Sequence, residues 1–95
     1  MGEGKLNPAD VEALLTHVPD WKATENLSIS RHFKFKNFKE ALAFVNKIGA
    51  IAESEGHHPD INFGWGYADI KLFTHAVDGL SENDFILAAK IDAIK

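Results

Sequence analysis

The strongest constraint on the fold of this chain is a reversal centred on Gly66. Ile61, Phe63 and Trp65 alternate with Asn62 and Gly64, and beyond Gly66 the residues Ile70 and Leu72 resume the alternation. Period-two patterning on both sides of a glycine-bracketed turn predicts two antiparallel strands, Ile61 to Trp65 and Ala68 to Thr74. The hairpin has a chemical consequence. His57 and His75 stand nearly equidistant from the turn, so antiparallel pairing brings them together, with His58 beside them. Imidazole gives and takes protons near neutral pH, which makes a cluster of three a candidate acid-base site.

The rest of the chain supplies what such a hairpin packs against. Asn7 as N-cap, Pro8 at the first helical position and Asp10 at the third open a short helix whose stripe is Val11, Leu14, Leu15 and Val18, ended by Pro19. Trp21 to Ala23 reads as a short strand, and Thr24-Glu25-Asn26 as a turn. Leu27, Ile29, Phe33 and Phe35 then alternate with polar residues as a half-buried strand, interrupted on its apolar face by Arg31. Asn37 with Glu40 resembles a capping box, and the helix that follows runs to Gly56. Its expected core stripe is Phe38, Leu42, Val45, Ile48 and Ala52, widened by Phe44 and Ile51 to about half of the circumference, against the ~100° a single core contact needs. Ser81 with Asp84 opens a last helix with Leu87, Ile91 and Ile94 inward. Helix, strand, strand, helix, strand, strand, helix favours an α+β fold: a four-stranded antiparallel sheet with three helices packed on one face.

With 95 residues, the chain 1–95 suits one domain, and its short length makes shared burial in an oligomer a natural supplement to stability. A formal net charge of -4 argues against nucleic acid and anionic membranes as partners. The absence of cysteine excludes disulfides, thiolate catalysis and cysteine-ligated metal centres. Met1 to Leu6 lacks the apolar stretch of a secretion signal, and no run approaches the roughly 20 apolar residues of a membrane helix, so a cytoplasmic protein is expected.

The histidine region resembles the pterin-4a-carbinolamine dehydratase family. That family's signature is a charged residue, three residues, His-His-Pro, five or six residues, an aromatic, nine residues, a histidine and a later aspartate. Here it is met by Glu53, His57, His58, Pro59, Trp65, His75 and Asp84, and the likeness extends to the element order and to Gly79-Leu80-Ser81 before the last helix. The resemblance implies removal of water from 4a-hydroxytetrahydropterin, left when an aromatic amino acid hydroxylase has used its pterin, to give quinonoid dihydropterin. It implies no metal, nucleotide or redox cofactor, and a homodimer or homotetramer. By the same resemblance His57 and His75 form the acid-base pair, His58 helps to position the substrate, and Glu53 and Asp84 orient imidazoles. One departure stands out: many relatives carry an acidic or polar residue before the histidine pair, where this chain has Gly56, leaving Glu55 as the nearest substitute.

Other readings of the same residues stand beside this one. Asp84 also serves as the third residue of a capping box, Glu53 as a solvated helical residue, and Trp65 as core at a glycine-rich reversal or as a lid edge over a planar pterin. His17 and His32 match no pattern and read as surface residues. A metal site from His57, His75 and Asp60 is a further option. A protein-binding module, such as the dimerisation cofactors and assembly factors among the family's members, is the alternative function.

Overall fold

The structure is a computed structural model that describes residues 4–94; Met1–Glu3, the start of the segment read for a secretion signal, and Lys95 lie outside it. Its elements follow the expected order: α1 (Pro8–Leu15), β1 (Lys22–Thr24), β2 (Ser28–Lys34), α2 (Phe38–Glu55), β3 (Asp60–Gly64), β4 (Tyr67–Leu72), a single 3-10 turn (His75–Val77) and α3 (Glu82–Asp92). The four strands form one antiparallel sheet in the order β1-β2-β4-β3.

Register decides which side chains meet. Ile29 pairs with Leu72, Arg31 with Ile70 and Phe33 with Ala68, while Ile61 and Phe63 of β3 pair with the same Ile70 and Ala68. These residues share one face of the pleat, and Ile29, Ala68, Ile70 and Leu72 are buried there. The same core takes in Val11 of α1, Phe44 and Ile48 of α2, and Phe85, Leu87, Ala88 and Ile91 of α3, so all three helices lie on that face. Burying one such aliphatic side chain contributes about 1.5–3 kcal/mol relative to leaving it in water. The opposite face carries the polar and charged residues Lys22, Ser30, His32, Asp60, Asn62, Asp69 and Lys71.

Local details depart from the sequence expectations in instructive ways. α1 ends at Leu15 with Thr16 as C-cap, four residues before Pro19; Thr16 turns its hydroxyl onto the Ala13 carbonyl at 2.6 Å and the chain coils through His17 to reach the buried Val18. The turn falls on Glu25-Asn26-Leu27, one residue later than expected because Thr24 still pairs with Ser28 at the end of β1, and Glu25 and Asn26 are both at positive φ. Asn37 caps α2 by accepting the Glu40 N–H at 2.9 Å, but the Glu40 carboxylate accepts from Lys36 N–H rather than closing the box on Asn37.

The inward stripe of α2 is Ala41, Phe44, Ile48 and Ala52, rotated from the one expected. Phe38 and Leu42 are well exposed because α2 crosses the sheet near its β3 edge, and Phe38 stacks on Phe63 there at 5.6 Å between centroids. Arg31 resolves as a clamp. Its guanidinium bonds Asp92 at 2.7 Å, approaches Asp20 at 3.5 Å and covers the Phe33 ring, while Trp21 Nε1 donates to the same Asp92 at 2.8 Å.

Candidate active site

The site begins where α2 stops. Gly56 is its C-cap in the left-handed region, φ +65°, and both Gly56 and His57 return their N–H groups to the Ala52 carbonyl. A side chain at that backbone angle is disfavoured by roughly 1–2 kcal/mol, so glycine suits the turn that swings the chain into His57. Glu55, the nearest substitute for the missing side chain, is tied instead to Lys90 of α3. Pro59 then holds His58 toward extended backbone, and the two adjacent imidazoles part company.

His57 turns inward. Its Nε2 lies 2.6 Å from Oδ1 of Asp84, a residue of α3 with no exposed surface, and the His57 side chain itself is 16% exposed. The other carboxylate oxygen of Asp84 accepts from Thr74 Oγ1–H at 2.8 Å and from Ser81 N–H at 3.0 Å. Thr74 Oγ1 and Ser81 Oγ are 2.8 Å apart. Among the described residues no buried side-chain oxygen or nitrogen lacks a partner. A buried carboxylate held by hydroxyl, amide and imidazole is the well-satisfied form of a group that is costly to bury alone.

His58 turns outward, its Nε2 2.5 Å from Oε2 of Glu53 on the last turns of α2, with both side chains mostly in solvent. His75 opens the 3-10 turn directly after Thr74, and its ring meets Phe73 edge-on at 4.5 Å between centroids. The shared carboxylate therefore joins His57 to Thr74, the residue before His75, while His58 and Glu53 form a second, local pair.

Two expected members are not brought in. Trp65 is 72% exposed at the hairpin tip, where Gly66 takes φ +84°, and is neither core nor near His57: the length of β3, about 16 Å at ~3.3 Å per residue, separates it from that end of the hairpin. Asp60 lines the face of the sheet opposite the helices with His32 and Asp69, and among the described residues no three His, Asp or Glu side chains converge as metal ligands. Among the described residues, one groove of about 540 Å³ lies on that face and another of about the same volume between β2, α2 and α3; neither is lined by His57, His58 or His75.

Sequence reasoning passed over Thr74. Only its burial and its place opposite the α3 N-terminus reveal it, and a threonine at a strand end carries no pattern of its own. His32 lies at the surface as expected, and there it pairs with Asp69 across β2 and β4 and stacks on Tyr67. The cross-strand register, once known, supplies that contact.

Comparison with known proteins places these features in context. The family model described as pterin 4 alpha carbinolamine dehydratase matches residues 4–94. A protein of Rubrobacter xylanophilus, provisionally named pterin-4-alpha-carbinolamine dehydratase, is 47% identical over 98% of this chain and 87% of its own length. One of Halorhodospira halophila with the same provisional name is 50% identical over 97% and 88%. Among solved structures, a transcriptional coactivator/pterin dehydratase from Brucella melitensis superposes with a TM-score of 0.90 at 30% identity, covering 95% of this chain and 97% of that one. A pterin dehydratase-like RuBisCO assembly factor of the alpha-carboxysome gives 0.68 at 30% identity, over 81% and 90%.

Proposed function

The chain belongs to the pterin 4 alpha carbinolamine dehydratase family, and from that premise we propose that it removes water from 4a-hydroxytetrahydropterin to give quinonoid dihydropterin by histidine general acid-base catalysis. The observation that carries the proposal is the His57–Asp84 pair: signature residues 27 positions apart meet at 2.6 Å around a buried carboxylate. The reaction needs one proton delivered to the departing 4a-hydroxyl, which leaves as water, and one proton taken from the ring nitrogen. His57 and His75 serve as the acid-base pair, His58 with Glu53 positions the pterin, and Asp84 orients His57. Both transfers run without a Lewis acid, so chelator leaves the rate unchanged.

The test follows carbinolamine loss by stopped flow with and without protein. Wild type accelerates the loss, and His57→Ala and His75→Ala each lower turnover by about 10²–10⁴-fold, the span typical of a general acid-base group. The double variant falls much less than the product of the single effects, because partners in one proton relay are not additive. Folded single variants with near-normal turnover defeat the assignment.

The proposal includes a single domain that self-associates as a dimer or tetramer and works in the cytoplasm in tetrahydropterin recycling, linked to an aromatic amino acid hydroxylase. The exposed Phe38 and Leu42 and the position of β3 at the edge of the sheet formed by the described residues support association. Those surfaces, with the coactivator and assembly-factor names of the two solved relatives, also favour a second reading, a protein-binding module on the same fold. A strictly monomeric chain at high micromolar concentration by light scattering removes the association, and loss of turnover in the histidine variants separates the enzyme from the module.

A further inference from the structure

Building on the dehydratase reading, the structure assigns Thr74 the role of positioning residue for His57, acting through Asp84, and makes Nδ1 of His57 the nitrogen that exchanges protons with the substrate. Oδ2 of Asp84 accepts from both Thr74 Oγ1–H and Ser81 N–H. Thr74 has one hydroxyl hydrogen and gives it to Asp84, so its contact with Ser81 has Ser81 Oγ–H as donor. A directed chain therefore runs from Ser81 through Thr74 to Asp84, all of it buried.

The position of the Thr74 oxygen is fixed by the fold and not by the carboxylate. Its N–H donates to the Gly79 carbonyl at 2.7 Å and its carbonyl accepts from Gly79 N–H at 3.4 Å, a bridge that closes the loop carrying His75. With Oδ2 pinned by two donors the carboxylate cannot rotate freely, and Oδ1 stays aimed at His57 Nε2.

A carboxylate oxygen that only accepts requires a hydrogen on Nε2 whether the ring is neutral or charged. The protonation change is thus confined to Nδ1, which carries a lone pair in the neutral ring and a hydrogen in the cation. A ring free to rotate or to swap tautomers divides its population between useful and useless arrangements, and locking it removes that loss.

The experiment uses full-length protein with ¹⁵N-labelled histidine, reading side-chain nitrogens by NMR alongside kcat and KM for the carbinolamine. Wild-type His57 shows hydrogen on Nε2 and a bare Nδ1 in its neutral form. Thr74→Val removes the donor while nearly keeping the shape; it mixes the tautomers of His57 and lowers kcat about 10-fold, a part of the ~10²–10⁴-fold a general acid-base group supplies, with KM little changed. Thr74→Ser, which restores the hydroxyl, keeps both readouts near wild type. Should Thr74→Val fail to fold, the wild-type tautomer and Thr74→Ser decide the matter. Wild-type His57 protonated on Nδ1 instead, or Thr74→Val with unmoved kcat and ¹⁵N signals in an active enzyme, overturns the positioning role alone. A wild type without dehydratase activity overturns the functional reading, and this role with it, whatever the tautomer.

Discussion

His57 and His58 are neighbours in the chain, each within hydrogen-bond reach of a carboxylate, and they could hardly be more different. His57 finds Asp84, 27 residues away and fully buried; His58 finds Glu53, five residues away, with the two side chains 61% and 78% exposed. Consecutive residues on extended backbone point in opposite directions, so one imidazole goes into the protein and the other out. The inward one meets a partner that only the complete fold can deliver. The outward one meets the last turns of the helix it has just left. Identical side-chain chemistry thus becomes a fixed element in one place and an adaptable, solvent-facing one in the other.

The comparison breaks most visibly at Asp84. Asp84→Ala leaves Thr74, Ser81 N–H and His57 without their acceptor in a buried site, and is expected to cost about 3–5 kcal/mol of unfolding free energy, the range for removing one partner of a buried pair. Asp84→Asn keeps the shape and part of the bonding and should cost less. Urea denaturation of the two variants checks both. A loss below about 1 kcal/mol for Asp84→Ala would place this carboxylate in the same class as Glu53 and erase the distinction.

At the outward pair the expected effect is smaller. Glu53→Gln and His58→Ala should each change stability by less than about 1 kcal/mol, since an exposed ion pair gains little over hydration. His58→Ala should act mainly on KM for the carbinolamine, with kcat at saturation kept within a few fold. If it instead abolishes saturated turnover while His57→Ala does not, the inward and outward roles are exchanged.

How much of this was legible in the sequence differs along the same line. Strands, helices, their order and the caps at Asn7, Asn37, Gly56 and Ser81 are local properties, carried by short-range patterns of apolar and polar residues and by backbone preference, and they were readable. The signature positions were equally readable as spacing. Which face of α2 turns inward was not, because Phe38, Leu42, Phe44 and Ile51 are all apolar and only the crossing of α2 over the β3 edge selects among them. Nor was the exposure of Trp65, whose apolar ring suggests core until the hairpin tip places it beyond the helices. Thr74 and the partners of Arg31 depend on contacts spanning up to 61 residues, and no periodicity encodes those.

The smallest expected effect comes from the third histidine with an acidic partner, on the far face of the sheet. His32 contacts Asp69 across β2 and β4 and stacks on Tyr67 at 6.1 Å between centroids, with the two paired side chains 49% and 46% exposed. It resembles the His58–Glu53 pair in solvation, but the sheet itself separates it from Asp84, Thr74 and His57. His32→Ala should therefore shift stability by no more than about 1 kcal/mol and leave both kcat and KM at wild-type values. The measurement is informative because His32 lines a groove of about 540 Å³ on that face, and none of the three signature histidines lines it. A catalytic centre seated in that groove would make His32 and Asp69 its acid-base groups. A large fall in turnover with His32→Ala, the fold intact, would move the chemistry across the sheet and leave the buried His57–Asp84 pair as a structural tie between the end of α2 and the start of α3.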